Sequence, residues 1–257
     1  MKKPKKVAIL TSGGDAPGMN AAVRGAVRAA LNKGWKMYAI KEGYRGLLTG
    51  GDSIFPLDWV DVSWNFREGG TFLGSARCPE LQGEGSQARE LKEQALLNLQ
   101  RLNISSLVIV GGDGSLTGGH ALFRMLHNKE YTNPELKSMQ LSIVGIPGSI
   151  DNDIAYTDMS IGVDTTLNTI VECIDKLRDT ATSHRRVIIV EVMGRLRGYL
   201  AVMSGLATGA DRVFVREEKI NQNELTKLLQ VLRKSFEYGQ KAGIIIRSEG
   251  ARFSTSF

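Results

Sequence analysis

Hydrophobic positions along the chain fall into two alternating patterns. Short continuous apolar runs, bounded by glycine or polar residues, predict strands at 7–10, 37–40, 107–110, 142–146, 187–190, 213–215 and 243–246. Between them apolar residues recur at helical spacing. One such stretch runs from about 18 to 32, a second follows Leu91, Ala95, Leu96, Leu99 and Leu102, and a third follows Leu167, Ile170, Val171, Ile174 and Leu177. Residues 198–208 and the stripe Leu225, Leu228, Leu229, Leu232 and Phe236 add two more. Strands alternating with helices predict an α/β fold of two doubly wound, mostly parallel sheets covered on both faces. Ligands in such folds bind beyond the carboxyl ends of the strands.

The 257 residues suit one large α/β domain or two smaller ones, and no low-complexity linker or internal repeat marks a division. The best boundary lies near Ile161-Gly162, giving domains 1–162 and 163–257. No apolar run reaches the roughly 20 residues of a membrane helix, and the run at 7–10 is too short for a signal peptide. Two cysteines make no disulfide framework, so a reducing cytoplasm is the expected setting. The net charge of +6 draws four of its charges from Lys2, Lys3, Lys5 and Lys6, a solvated basic tail. The remaining excess is too small to argue for nucleic acid, and neither a nucleic-acid motif nor a membrane segment is present. Anionic small molecules stay open as ligands.

The 29 glycines are clustered, and the clusters fall just after predicted strands. Thr11-Ser12-Gly13-Gly14-Asp15 follows the first strand and opens the first helix, either as a phosphate cradle or as an ordinary strand-to-helix turn. Gly111-Gly112-Asp113-Gly114-Ser115 repeats that placement. Its glycines leave room for a triphosphate, Asp113 offers a hard carboxylate for Mg²⁺, and Ser115 offers a hydroxyl. It is neither a Walker A loop nor a dinucleotide fingerprint. In Pro147-Gly148-Ser149-Ile150-Asp151-Asn152-Asp153, an extended backbone would turn Asp151 and Asp153 to one side, where one can serve as general base. An Asx-rich turn is the competing reading. Arg77, Arg185, Arg186 and Arg195 stand near strand ends, a placement suited to phosphate. His120, His127 and His184 lack metal-ligand spacing.

In this order the strings TSGGDAPGMNAA, GGTFLGSAR, GGDGS, PGSIDNDI, SHRR and EVMGR resemble the ATP-dependent 6-phosphofructokinases of bacterial type, over about residues 7–249. The resemblance implies transfer of the γ-phosphoryl group of ATP to the 1-hydroxyl of fructose 6-phosphate, in glycolysis, with Mg²⁺ as cofactor. It makes Asp151 the general base and Asp113 the metal ligand, with Asp153 assisting both. Gly14, Arg77, Cys78, Gly112, Asp113, Gly114 and Ser115 would line the ATP site, with Tyr44 near the adenosine. Ser149, Ile150, Asp151, Met193, Gly194, Arg195 and Glu249 would meet the sugar, and Arg186 would reach the 6-phosphate across a subunit boundary of a homotetramer. Arg24, Arg28, Arg178, Gly209, Asp211 and Lys241 match the regulatory site for ADP or phosphoenolpyruvate.

Pyrophosphate-using relatives carry Asp where this chain has Gly114, and Lys where it has Gly148, so ATP is the expected donor. A carboxylate at 114 would crowd and repel the α-phosphate. Ser149 stands where Thr is commoner, and the hydroxyl is kept. Trp59, Tyr238 and Gln240 stand where basic residues are often found, so effector binding is expected to be weak. After Glu249 the tail 250–257 lacks the family's next segment, so the resemblance implies a C-terminally shortened chain without the usual return segment of its first domain. A non-catalytic ATP-binding or assembly subunit is the alternative of another class. An NAD kinase-like protein sharing the GGDG loop is a third, opposed by PGSIDND and MGR.

Overall fold

The first apolar run forms β1 (Lys6–Ser12), and the chain turns through Gly18 into α1 (Met19–Asn32). Met19, Val23, Val27 and Ala30 recur every three or four residues and are buried, so one stripe of α1 faces the sheet. There follow β2 (Lys36–Ile40), α2 (Tyr44–Thr49), β3 (Ile54–Leu57), α3 (Ser86–Arg101), β4 (Ser106–Gly111), α4 (Asp113–His127), β5 (Ser142–Ser149) and β6 (Ile161–Gly162). They build a six-stranded sheet in the order β3-β2-β1-β4-β5-β6, parallel throughout except for β2 against β3. Pro56 lies on β3 at the sheet edge, where its missing N–H costs least. Ala8 and Leu10 of β1 share one core with Ile40, Leu107 and Ile109 and with the α3 residues Ala95, Leu96 and Leu99.

The second sheet follows from α5 (Val163–His184), β7 (Val187–Val192), α6 (Tyr199–Thr208), β8 (Arg212–Phe214), α7 (Gln222–Glu237) and β9 (Gly243–Ser248). Its order is β7-β9-β8, all parallel. Alternation along central β9 sends Ile244 and Ile246 into a core with Ile174, Leu200 and Ala201, and Ile245 into one with Phe214 and Leu232. Full burial of each isoleucine is worth about 1.5–3 kcal/mol. A capping box between Asn221 and Glu224 starts α7.

This computed structural model describes residues 4–253; Lys2 and Lys3 of the basic tail and residues 254–257 lie outside them. It divides into two units, Met1–Ser149 with Ile154–Gly162, and Ile150–Asp153 with Val163–Phe257. Residues 150–153 group with the second unit, apart from the rest of 1–162. Every predicted strand and helix is present. The apolar pattern missed α4, whose Gly114, Gly118 and Gly119 weaken the helical signal. It also missed the six-residue α2 and the proline-bearing β3. Coverage on both faces is incomplete, because Val144 of β5 is 56% exposed and Ile189 of β7 is 65% exposed. Among the described residues no helix is long and apolar enough to cross a membrane.

Candidate active site

Ser12 and Gly111 are register partners at the carboxyl ends of β1 and β4, so the loops that leave these strands stand side by side in the first unit. Close approach fixes Gly111. A Cβ there would lie 2.5 Å from the Ser12 carbonyl oxygen and 2.7 Å from the Ser115 hydroxyl. Gly13 takes φ +90°, which few other residues tolerate. The next glycines are different. A Cβ at Gly14 would meet nothing within 4 Å, and one at Gly112 only atoms 3.8 Å away or more. No protein atom requires these two residues to be glycine. A phosphate lying against the backbone would.

Buried polar side chains, which the motif reading passed over, fasten a third segment to the first loop. The Thr11 hydroxyl donates to the Gly74 carbonyl at 2.9 Å and meets the Thr71 hydroxyl at 2.8 Å. Ser12 Oγ donates to the Ala76 carbonyl at 3.3 Å, and Ser75 Oγ to the Gly13 carbonyl at 2.6 Å. Asn20 Nδ2 donates to the Glu68 carbonyl while its Oδ1 accepts from the Phe72 N–H. Arg77, exposed, and Cys78 follow directly from this tethered segment. Burial, reinforced by the charge of Glu80 and opposed by Arg45, pushes the Cys78 thiol up to about 11, so it stays protonated at neutral pH. Tyr44 is 2% exposed and packs against α4, with burial raising its phenol far above the ordinary value.

Asp113 opens α4 with its carboxylate exposed. That donor suits Mg²⁺, which takes one or two carboxylates and draws its remaining ligands from phosphate oxygens and water. No three His, Cys, Asp or Glu side chains converge on a metal-sized position among the described residues.

In the second unit the expected extended path through Asp151 and Asp153 is absent. β5 ends at Ser149, and Asn152 adopts a left-handed φ of 51°. The carboxylates still interact. Burial raises the Asp151 carboxyl above its ordinary range, the charges of Asp153 and Glu249 raise it further, and Arg197 works against them. Ile150, beside it, packs into the core that holds Ile174 and Ile244. Glu249 follows β9, and its N–H donates to the Val192 carbonyl at 2.9 Å. Met193-Gly194-Arg195 follows β7, the neighbouring strand. Gly250 admits the Arg195 carbonyl where any Cβ would overlap it, and Gly194 at φ +126° makes the turn. Met193, Arg195 and Glu249 are thus exposed at adjacent carboxyl strand ends. Arg186 precedes the six residues of β7, at its amino end, roughly 20 Å from them along the strand. Arg197 escaped the sequence reading because nothing in its local pattern distinguishes it.

The six expected effector residues are divided, with Arg24 and Arg28 in the first unit and Arg178, Gly209, Asp211 and Lys241 in the second. Several already have partners. The Arg24 guanidinium lies 4.7 Å from the Phe66 ring centroid, and that of Arg28 lies 5.2 Å from the Trp59 ring. Arg178 donates to the Thr208 carbonyl. Asp211 accepts from the Ile244 N–H at 2.7 Å and from Gln240 Nε2 at 2.9 Å.

Residues 6–256 match the family model described as Phosphofructokinase. The ATP-dependent 6-phosphofructokinase of Thermotoga neapolitana is 45% identical over 248 residues, covering 96% of this chain and 70% of that protein. Its counterpart in Macrococcus caseolyticus is 46% identical over 246 residues, with the same coverage. Among solved structures, Pichia pastoris phosphofructokinase in the T-state superposes with a TM-score of 0.88 at 43% identity. The match covers 98% of this chain and 27% of that one. A family model spanning nearly all the residues, together with relatives of this identity, establishes that the chain belongs to the phosphofructokinase family.

Proposed function

We propose that this chain is an ATP-dependent 6-phosphofructokinase, transferring the γ-phosphoryl group of ATP to the 1-hydroxyl of fructose 6-phosphate to give fructose 1,6-bisphosphate and ADP. The observation that carries the reading is the pair of adjacent glycine loops leaving β1 and β4, with backbone left open at Gly14 and Gly112. The relatives named as ATP-dependent support the choice of donor. Gly14, Gly112 and Gly114 bind the phosphates through their backbone, Ser115 offers its hydroxyl, and Arg77 adds a cation. Asp113 holds Mg²⁺, which when bound neutralises charge on the phosphate oxygens.

Asp151 takes the proton of the 1-hydroxyl as that oxygen forms its bond to the γ-phosphorus and the bond to the bridging oxygen of ADP breaks. Its raised pKa makes it a better base than an ordinary carboxylate. Asp153 and Glu249 maintain that basicity, and Glu249, Met193, Gly194 and Arg195 orient the sugar. Arg195 also balances charge that develops during transfer. Arg186, remote from these groups along β7, binds the 6-phosphate of a neighbouring subunit's substrate in a homotetramer. The enzyme works in the cytoplasm. ADP and phosphoenolpyruvate act weakly at Arg24, Arg28, Arg178, Gly209, Asp211 and Lys241, because the three arginines and the carboxylate are already engaged within the chain. Phosphorus NMR of the chain with Mg-ATP and fructose 6-phosphate tests the reaction. A new sugar 1-phosphate resonance matching the loss of γ-phosphate is expected, and release of inorganic phosphate alone would refute it.

A further inference from the structure

Two side chains from outside α4 grip consecutive carbonyls of its first turn. Tyr44, at the start of α2, donates its hydroxyl to the Ser115 carbonyl at 2.5 Å. Gln82, ending the short 3₁₀ turn Pro79–Gln82, donates Nε2 to the Gly114 carbonyl at 2.8 Å. In a helix these carbonyls also accept from the N–H groups four residues on, so each side chain adds a second donor to an acceptor already in use. Gly118 and Gly119 make room for Tyr44. A Cβ at 118 would lie 3.1 Å from the phenol ring, and one at 119 would overlap Ile109. Two glycines inside a helix cost about 1 kcal/mol each relative to alanine. The seating of the tyrosine against α4 accounts for Gly118, and the packing of Ile109 for Gly119.

We infer that Tyr44 and Gln82 are positioning residues that fix the first turn of α4, and with it the direction of Asp113 and the backbone N–H groups of residues 112–114, for binding of Mg-nucleotide. This rests on the nucleotide reading given above. The two act through the turn, since Tyr44 is buried beneath it and Gln82 contacts its backbone. Held in advance, the turn loses little freedom when phosphate binds. Gln82 is exposed, so its removal is expected to leave the fold intact.

The test uses Gln82→Met, which keeps length and volume without the donor, and Tyr44→Phe, which loses only the hydroxyl. Mg-ATP binding is measured by calorimetry, alongside thermal midpoint and steady-state kinetics. Each variant is expected to raise the Kd and the KM for Mg-ATP about three- to tenfold. The KM for fructose 6-phosphate should be unchanged, and the Gln82→Met midpoint should match wild type. The double variant should lose less than the product of the single effects, since both act on one turn. Mg-ATP affinity within twofold of wild type in Gln82→Met overturns the inference alone, and that variant decides if Tyr44→Phe fails to fold. A wild-type chain that binds no Mg-ATP overturns the nucleotide reading and this inference with it.

Discussion

Replacing Gly14 by alanine separates the needs of the fold from those of a ligand. The added methyl meets no protein atom within 4 Å, and φ at Gly14 lies outside the left-handed region, so the folded chain accommodates it. Restricting the unfolded backbone should then stabilise the protein by about 0.4–1 kcal/mol. At about 2–4 °C per kcal/mol for a chain of this size, the thermal midpoint should rise by about 1–4 °C. Nucleotide binding should move the other way. If the backbone of Gly14 donates to a phosphate oxygen, a methyl group that prevents the approach forfeits a hydrogen bond to a charged group, about 1.5–3 kcal/mol. That corresponds to an increase of about 10- to 150-fold in the Kd for Mg-ATP. Calorimetric titration beside a thermal melt reads both quantities on one preparation. A variant that is more stable and binds Mg-ATP within twofold of wild type would remove Gly14 from the phosphate site.

The same reasoning predicts the opposite pattern at Gly111, where a Cβ would press on Ser12 and Ser115. Gly111→Ala should destabilise the chain by about 1–3 kcal/mol, seen as a lowered midpoint without ligand. Asp151→Asn should lower kcat by about two to four orders of magnitude with little change in the Kd for Mg-ATP. It should also melt higher than wild type at pH 7. Folding raises the Asp151 pKa, so wild type loses stability as pH rises from the ordinary carboxylate value of about 3.9 through the raised folded value. The variant's advantage should fade as pH falls below that window, and an advantage independent of pH would contradict the electrostatic account. Phosphoenolpyruvate should inhibit weakly, because Arg28 is engaged by Trp59 and Asp211 by Gln240. Trp59→Lys should strengthen that inhibition, measured as a lower concentration for half-maximal effect.

Strong apolar periodicity made most of the fold legible in the sequence. β1, β4 and β9 are continuous aliphatic runs because they are buried centrally, and α1 and α7 carry clear stripes. α4 was not legible, since Gly118 and Gly119 answer to long-range neighbours that no local pattern reveals. The glycine loops and Asp113 could be read from their position after strands. Alternation placed Asp151 and Asp153 together for a mistaken reason, because Asn152 turns left-handed and the pair interacts through a bend. Thr11, Ser12, Asn20 and Ser75 were silent as well, being small polar residues whose role is visible only in the carbonyls 48 to 64 residues away that they hold.

The most direct test of phosphofructokinase activity is ADP release by the folded 257-residue chain given Mg-ATP, with and without fructose 6-phosphate. The account predicts release that depends on the sugar and is lost in Asp151→Asn. A chain that binds Mg-ATP yet releases no ADP when the sugar is supplied would contradict it.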